Sequence, residues 1–121
     1  VSGRKSTIIQ FKNIINGDMS QSSVTSSVTN IITADNLNQQ LQWSGSPVGT
    51  FALQVSGDYE QDMFGNVQNA GTWVTLTTLT TAGGNPAGID LQGMGAPWYR
   101  VVYTKTSGSG TLQGFLTGKM L

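Results

Sequence analysis

The strongest constraint on this fold is a period-two alternation of apolar and β-branched residues, cut into short runs by glycine-rich turns. It is clearest over residues 98–105 (WYRVVYTK), where Tyr99, Val101 and Tyr103 share one face and Trp98, Arg100, Val102 and Thr104 the other. Aromatic and β-branched residues at this spacing suit a pleated, half-buried strand. Ser107, Gly108, Ser109 and Gly110 then supply positive-φ positions for a reversal, and a second run covers residues 111–118. The two runs read as a β-hairpin. Residues 36–43 and 50–56 read as another: Leu37, Gln39, Leu41 and Trp43 share a face, residues 45–49 turn the chain, and Phe51, Leu53 and Val55 share the next face.

The remaining segments follow the same grammar. Residues 7–11 (TIIQF) predict a first short strand, with Ile14 and Ile15 close behind and a turn at Asn16, Gly17 and Asp18. Over residues 20–34, Val24, Val28 and Ile32 stand four apart, a spacing that a helix would permit. Six Ser or Thr residues between Ser22 and Thr29 favour one long or two short strands instead. Residues 57–71 carry the single acidic cluster and predict a long loop at one end of the domain. Residues 72–79 predict a strand, Gly83 to Pro86 a turn, and residues 89–91 a short strand. No segment has the capped amphipathic signature of a helix.

Seven to nine short strands at regular spacing predict an all-β fold, an antiparallel β-sandwich with no significant helix. Without the Cys-Trp-Cys core of an immunoglobulin domain, a jelly-roll-like topology is expected. Residues 1–12 read as an N-terminal arm with the first short strand, and residues 13–121 as a single sandwich domain.

Composition narrows function more than it narrows the fold. With neither cysteine nor histidine, the chain lacks thiolate chemistry, disulfides and the commonest general base and zinc ligand. Six basic and six acidic residues cancel, which leaves no global field to attract nucleic acid or an anionic membrane. Only 10% of residues are charged, against roughly 25% in ordinary globular chains. The polarity comes instead from 15 Thr, 12 Ser, 10 Gln and 8 Asn. So little charge favours association over a solitary monomer. No apolar run approaches the roughly 18 residues of a membrane-spanning helix, and no export signal follows Arg4 and Lys5.

Candidate chemistry is sparse. Asp58, Glu60 and Asp62 alternate, so in an extended segment three carboxylates would share one face and could offer oxygens to Ca²⁺. The residues around them do not match a calcium-loop pattern, and solvated loop acids are the plainer expectation. Neither a nucleophile elbow nor a phosphate-binding loop is present. We therefore expect no enzyme and no cofactor. Trp43, Trp73 and Trp98, with Tyr59, Tyr99 and Tyr103, could stack on sugars if exposed side by side, whereas Trp43 reads as core. Arg100 could pair with Asp90 or anchor an interface.

The blocks WSGSPVGTFALQVS (43–56), GTWVTL (71–76), WYRVVYTKTSGSGTL (98–112) and GFLTGK (114–119) resemble a family of small structural proteins of tailed bacteriophages. The resemblance covers about residues 37–119. It implies a virion β-sandwich without enzymatic activity, present in the virion after assembly in the host cytoplasm. The leading expectation is a capsid decoration (cement) protein, a dimer or trimer that binds the major capsid protein on the outer shell and stabilises the head. The alternative is a tail or head-fibre receptor-binding module that recognises host-surface glycans. Partner-contact candidates are Arg4, Lys5, Ile8, Ile9 and Phe11 in the N-terminal arm, with Trp98 and Arg100. Neither nucleic acid nor membrane is an expected partner.

Overall fold

The computed structural model describes residues 7–120. Its described strands are β1 (Thr7–Asp18), β2 (Ser23–Thr25), β3 (Thr29–Asn30), β4 (Asn36–Trp43), β5 (Val48–Ser56), β6 (Glu60–Gln61), β7 (Val67–Asn69), β8 (Val74–Thr80), β9 (Ala87–Leu91), β10 (Trp98–Ser107) and β11 (Thr111–Met120). The helical content described is one 3₁₀ turn, Thr81–Gly83. Two antiparallel sheets hold the core between them. The first runs β1-β11-β4-β9 and the second β2-β10-β5-β8, with β3 beside β10; β6 and β7 form a separate small hairpin.

Four pairings define the topology: β1 with β11, β2 and β3 with β10, β4 with β9, and β5 with β8. The chain is thus a long double ribbon rolled across two sheets, which is the jelly-roll arrangement. Both expected hairpins are corrected by it. β10 and β11 are consecutive but lie in different sheets, and so do β4 and β5. Each glycine-rich turn is a crossover between sheets. The two crossovers lie side by side, with the Ser46 amide donating to Ser109 O at 3.1 Å and the Ser44 amide to Thr111 O at 3.0 Å. A Cβ at Gly108 or Gly110 would run into the backbone carbonyls of Ser46 or Ser44, so the close approach requires glycine.

The predicted faces hold. Tyr99, Val101 and Tyr103 of β10 and Phe51, Leu53 and Val55 of β5 point inward, toward Leu37 and Leu41 of β4 and Leu112 and Leu116 of β11. Burying each such side chain contributes roughly 1.5–3 kcal/mol relative to exposure. Gln39 sits among them fully buried and fully engaged. Its Oε1 accepts from the Tyr99 hydroxyl at 2.9 Å, and its Nε2 donates to the carbonyls of Gln40 and Phe115. Burial pushes the Tyr99 phenol above its ordinary pKa, so the hydroxyl keeps its proton as donor.

The first strand is longer than its sequence suggests. β1 continues to Asp18, so the expected turn at residues 16–18 falls inside the strand. Register shifts at residues 10–12 and 13–15 explain the reading. Each inserts an extra residue, which breaks the alternation and lets Ile14 and Ile15 both bury. Gly114 and Gly118 on the inward face of β11 leave room for Ile15 and Phe11 to lean across. Of the two readings of residues 20–34, one long strand or two short ones, the structure has the second, β2 and β3. Between them Ser26 exchanges bonds with Val101: its amide donates to Val101 O, and its Oγ accepts from the Val101 amide, both at 2.8 Å.

Candidate functional site

The end of the second sheet where β5 hands over to β8 carries the most unusual surface. Ser56 ends β5 and organises the exit: its Oγ accepts from the amides of Asp58 and Tyr59 and donates to Asp58 Oδ1 at 2.8 Å. Asp58 Oδ1 also accepts from the Thr72 amide at 2.7 Å, closing the base of residues 57–73. Those hydrogen bonds, the Thr72 amide first, hold the Asp58 carboxyl below its usual pKa. Tyr59 is buried here, with its ring 5.7 Å from Trp73 and 4.9 Å from Trp98, edge-on to the latter. Gly71 turns the chain beneath it at φ 80°, where a Cβ would fall 2.9 Å from Tyr59 Cβ.

Arg100 completes the cluster. Its guanidinium carbon lies 4.3 Å from the centre of the Trp73 ring, and its Nε donates to Gln54 Oε1 at 2.8 Å. Gln54 passes the chain on to Thr75 Oγ1, and Trp73 Nε1 donates to Ala70 O at 3.0 Å. Partial burial draws the arginine pKa down from its ordinary value. The stack is a cation–π contact of the kind worth about 0.5–2 kcal/mol. Trp98, through Tyr59, and Arg100, through Trp73, both belong to this cluster, where they hold residues 57–73 against the sheet.

That segment is not a long loop. β6 and β7 pair, and the tip between them is a built turn. Asp62 Oδ1 accepts from the amides of Phe64 and Asn66, both at 2.9 Å, while Oδ2 accepts from the side chains of Asn66 and Gln68. The Asp62 amide donates to Asn66 O, and Gly65 takes φ 84° to close the turn. These donors, the Asn66 amide foremost, lower the Asp62 pKa. The turn presents Met63 and Phe64 outward, 89% and 81% exposed. Five of the ten large apolar residues on the described surface fall within residues 63–76: Met63, Phe64, Val67, Val74 and Leu76. This stretch is where the described chain exposes its large apolar side chains most densely.

The other candidates fall elsewhere. Asp58 and Asp62 are spent on turns, and among the described residues no three acidic side chains gather to hold a metal ion. Asp90 lies in the first sheet, accepting from Asn38 Nδ2 at 2.7 Å, so it does not pair with Arg100. Trp43 packs on Phe51 at 5.4 Å at the edge of the core. Arg4 and Lys5 lie outside the described residues. Of the rest of the N-terminal set, Phe11 packs against the core, Ile9 is half-buried, and Ile8 is 62% exposed on β1. Met63 and Phe64 were not foreseen. The signal for them was DMFGN, two large apolar residues at the centre of a turn framed by Asp, Gly and Asn. No protein-family model matches the sequence, and no curated protein is significantly similar to it.

Proposed function

We propose that this chain is a non-enzymatic structural protein of a bacteriophage virion, a capsid decoration protein that works by binding other proteins. The observation that supports binding best is the braced hairpin: a turn fixed by Asp62, anchored through Tyr59, Trp73, Trp98 and Arg100, that presents Met63 and Phe64 to solvent. A rigid turn loses little conformational freedom on docking, so most of the apolar burial is realised as affinity. The virion assignment draws on the family resemblance and on a jelly roll with little charge to desolvate. Its test is to mix the purified protein with mature capsids of the phage that encodes it and count bound copies. A count set by the symmetry of the shell is expected. No binding, or a handful of copies per particle, would overturn decoration.

A second reading, a tail or fibre module recognising host-surface glycans, is favoured by the first sheet rather than by the tryptophans. The aromatic rings around Tyr59 are tilted or edge-on and offer no coplanar platform. The outer face of the first sheet instead sets Asn38, Gln40, Gln42, Gln113 and Asp90 around a partly exposed Phe115. Binding on a glycan array that Phe115→Ala abolishes would support this reading, and a blank array would end it.

A further inference from the structure

At the foot of the same hairpin is a hollow of about 250 Å³ between the second sheet and the segment that follows β9. Val55, Leu76, Leu91, Met94 and Ala96 supply its apolar wall, and no charged residue lines it. The hollow lies at the margin of the sandwich, where β8 and β9 are the edge strands of their sheets. An extra residue in β8 between its pairings with Leu53 and Gln54 makes Leu76 the bulged position and leaves it at the hollow's mouth. The opposite wall is the run Gln92-Gly93-Met94-Gly95-Ala96, where a thioether stands between two glycines. Its position is fixed by the Met94 amide donating to Asp35 O at 2.8 Å and the Gly93 amide donating to Asn36 Oδ1 at 3.2 Å. Such a wall has a set place and an adaptable surface.

We propose that the occupant of this hollow is the Met63–Phe64 tip of a second copy of the chain. The proposal rests on the reading of the hairpin as a protein contact and names its partner. Knob and hollow are carried by one chain, the two projecting side chains and the lining of the hollow are uncharged, and a cavity of roughly 150 Å³ is already enough for a benzene ring. The tip does not fill its own hollow, since both its large side chains stand in solvent. It nonetheless springs from Ser56 and returns at Val74, beside Val55 and Leu76 of the hollow. With donor and acceptor surfaces next to each other, two copies can exchange tips about a two-fold axis and cover both at once. Val67 and Val74 add exposed apolar surface on the same stretch of chain; the hairpin's acids are Asp58, Glu60 and Asp62, the first and last engaged in turns, and the lining of the hollow brings no further negative charge against them.

The chain has no cysteine, so engineered thiols report without background. Met63→Cys and Gln92→Cys are prepared separately, mixed and exposed to a mild oxidant. The expected result is a disulfide dimer that needs both variants, together with a fall of Phe64→Ser to single-chain mass in sedimentation equilibrium. Dimers from Met63→Cys alone would place tip against tip and overturn the proposal. If Phe64→Ser keeps the native oligomer but no longer binds capsids, the tip belongs to the shell; the proposal fails and decoration stands. If Phe64→Ser alters neither property, both the proposal and the role of the hairpin as a protein contact are lost.

Discussion

The two outer faces of the sandwich solve the same problem in opposite ways. A chain with 10% charged residues has few ionic groups with which to keep its sheets apart from other sheets. On the first sheet that role falls to amides. Asn38 donates to Asp90, Gln40 to Gln42, and Gln42 across the strands to Gln113 at 3.2 Å, so the face is a lattice of polar donors and acceptors. A protein covering it must satisfy every one of those groups or lose roughly 1–3 kcal/mol for each left unpaired. The second sheet gathers aromatic and apolar groups at one end and spends its polar bonds internally, on Ser56, Asp58, Asp62 and Arg100. Covering the tip strands very few donors. The difference separates a surface that is costly for another protein to cover from one whose covering leaves few polar groups unpaired, and it follows composition: β4 is NLNQQLQW, whereas β8 is VTLTTLT.

The largest test of that contrast is Gly71→Val. A β-branched side chain at φ 80°, pressed against Tyr59, should cost about 2–3 kcal/mol and release the hairpin base. A thermal melt would show the loss, and changed tryptophan fluorescence would locate it at Trp73 and Trp98. An unchanged melt would mean that the anchor is not what holds the hairpin.

Acid offers a finer separation. The folded-state pKa values of Asp58 and Asp62 are depressed, so their contribution is present above the unfolded value of about 3.9 and fades as pH falls through the lower folded values. Protection of the Phe64, Asn66 and Thr72 amides, taken relative to unfolded chain at the same pH, should therefore fall below pH 4, while the non-titrating amides of Gln42 and Gln113 keep their neighbourhood unchanged. Asp18 is depressed likewise by Ser20, so the turn after β1 should respond too. Protection that falls equally on both faces would show global unfolding and erase the contrast. The smallest effect belongs to Gln42→Ala on the amide-rich face, which should shift stability by no more than about 0.5 kcal/mol.

The sequence carried the faces of the strands and lost their partners. Alternation is local, so Tyr99, Val101 and Tyr103 could be assigned to one face, and all three are buried. Whether a strand pairs with its successor depends on the path through the intervening turn. Residues 44–47 and 108–110 are rich in glycine, serine and proline, and they would look the same in a hairpin as in a crossover. The decisive contacts, such as Ser46 with Ser109, span more than sixty residues and leave no periodic trace. β1 was cut short for the opposite reason: bulges at Phe11 and Ile14 interrupt an otherwise continuous strand. At the candidate site, alternation was enough to set Trp98 and Arg100 on one face of their strand. Their partner Trp73 arrives from outside the strands, and the exposed tip was hidden in what composition marked as loop.

The pairing of β1 with β11 also decides how the molecule would bear load. Thr7 lies opposite Met120 and Asp18 opposite Thr111, so the outer ends of the two strands meet at one end of the ladder. Tension drawn through those two ends would open the pair as a zip, one rung after another, each bond facing the force alone. Tension entering across the sheets would instead meet many rungs at once. Attached by its flanks, such a fold would share a load among many rungs; attached through the outer ends of β1 and β11, it would meet the same load one rung at a time.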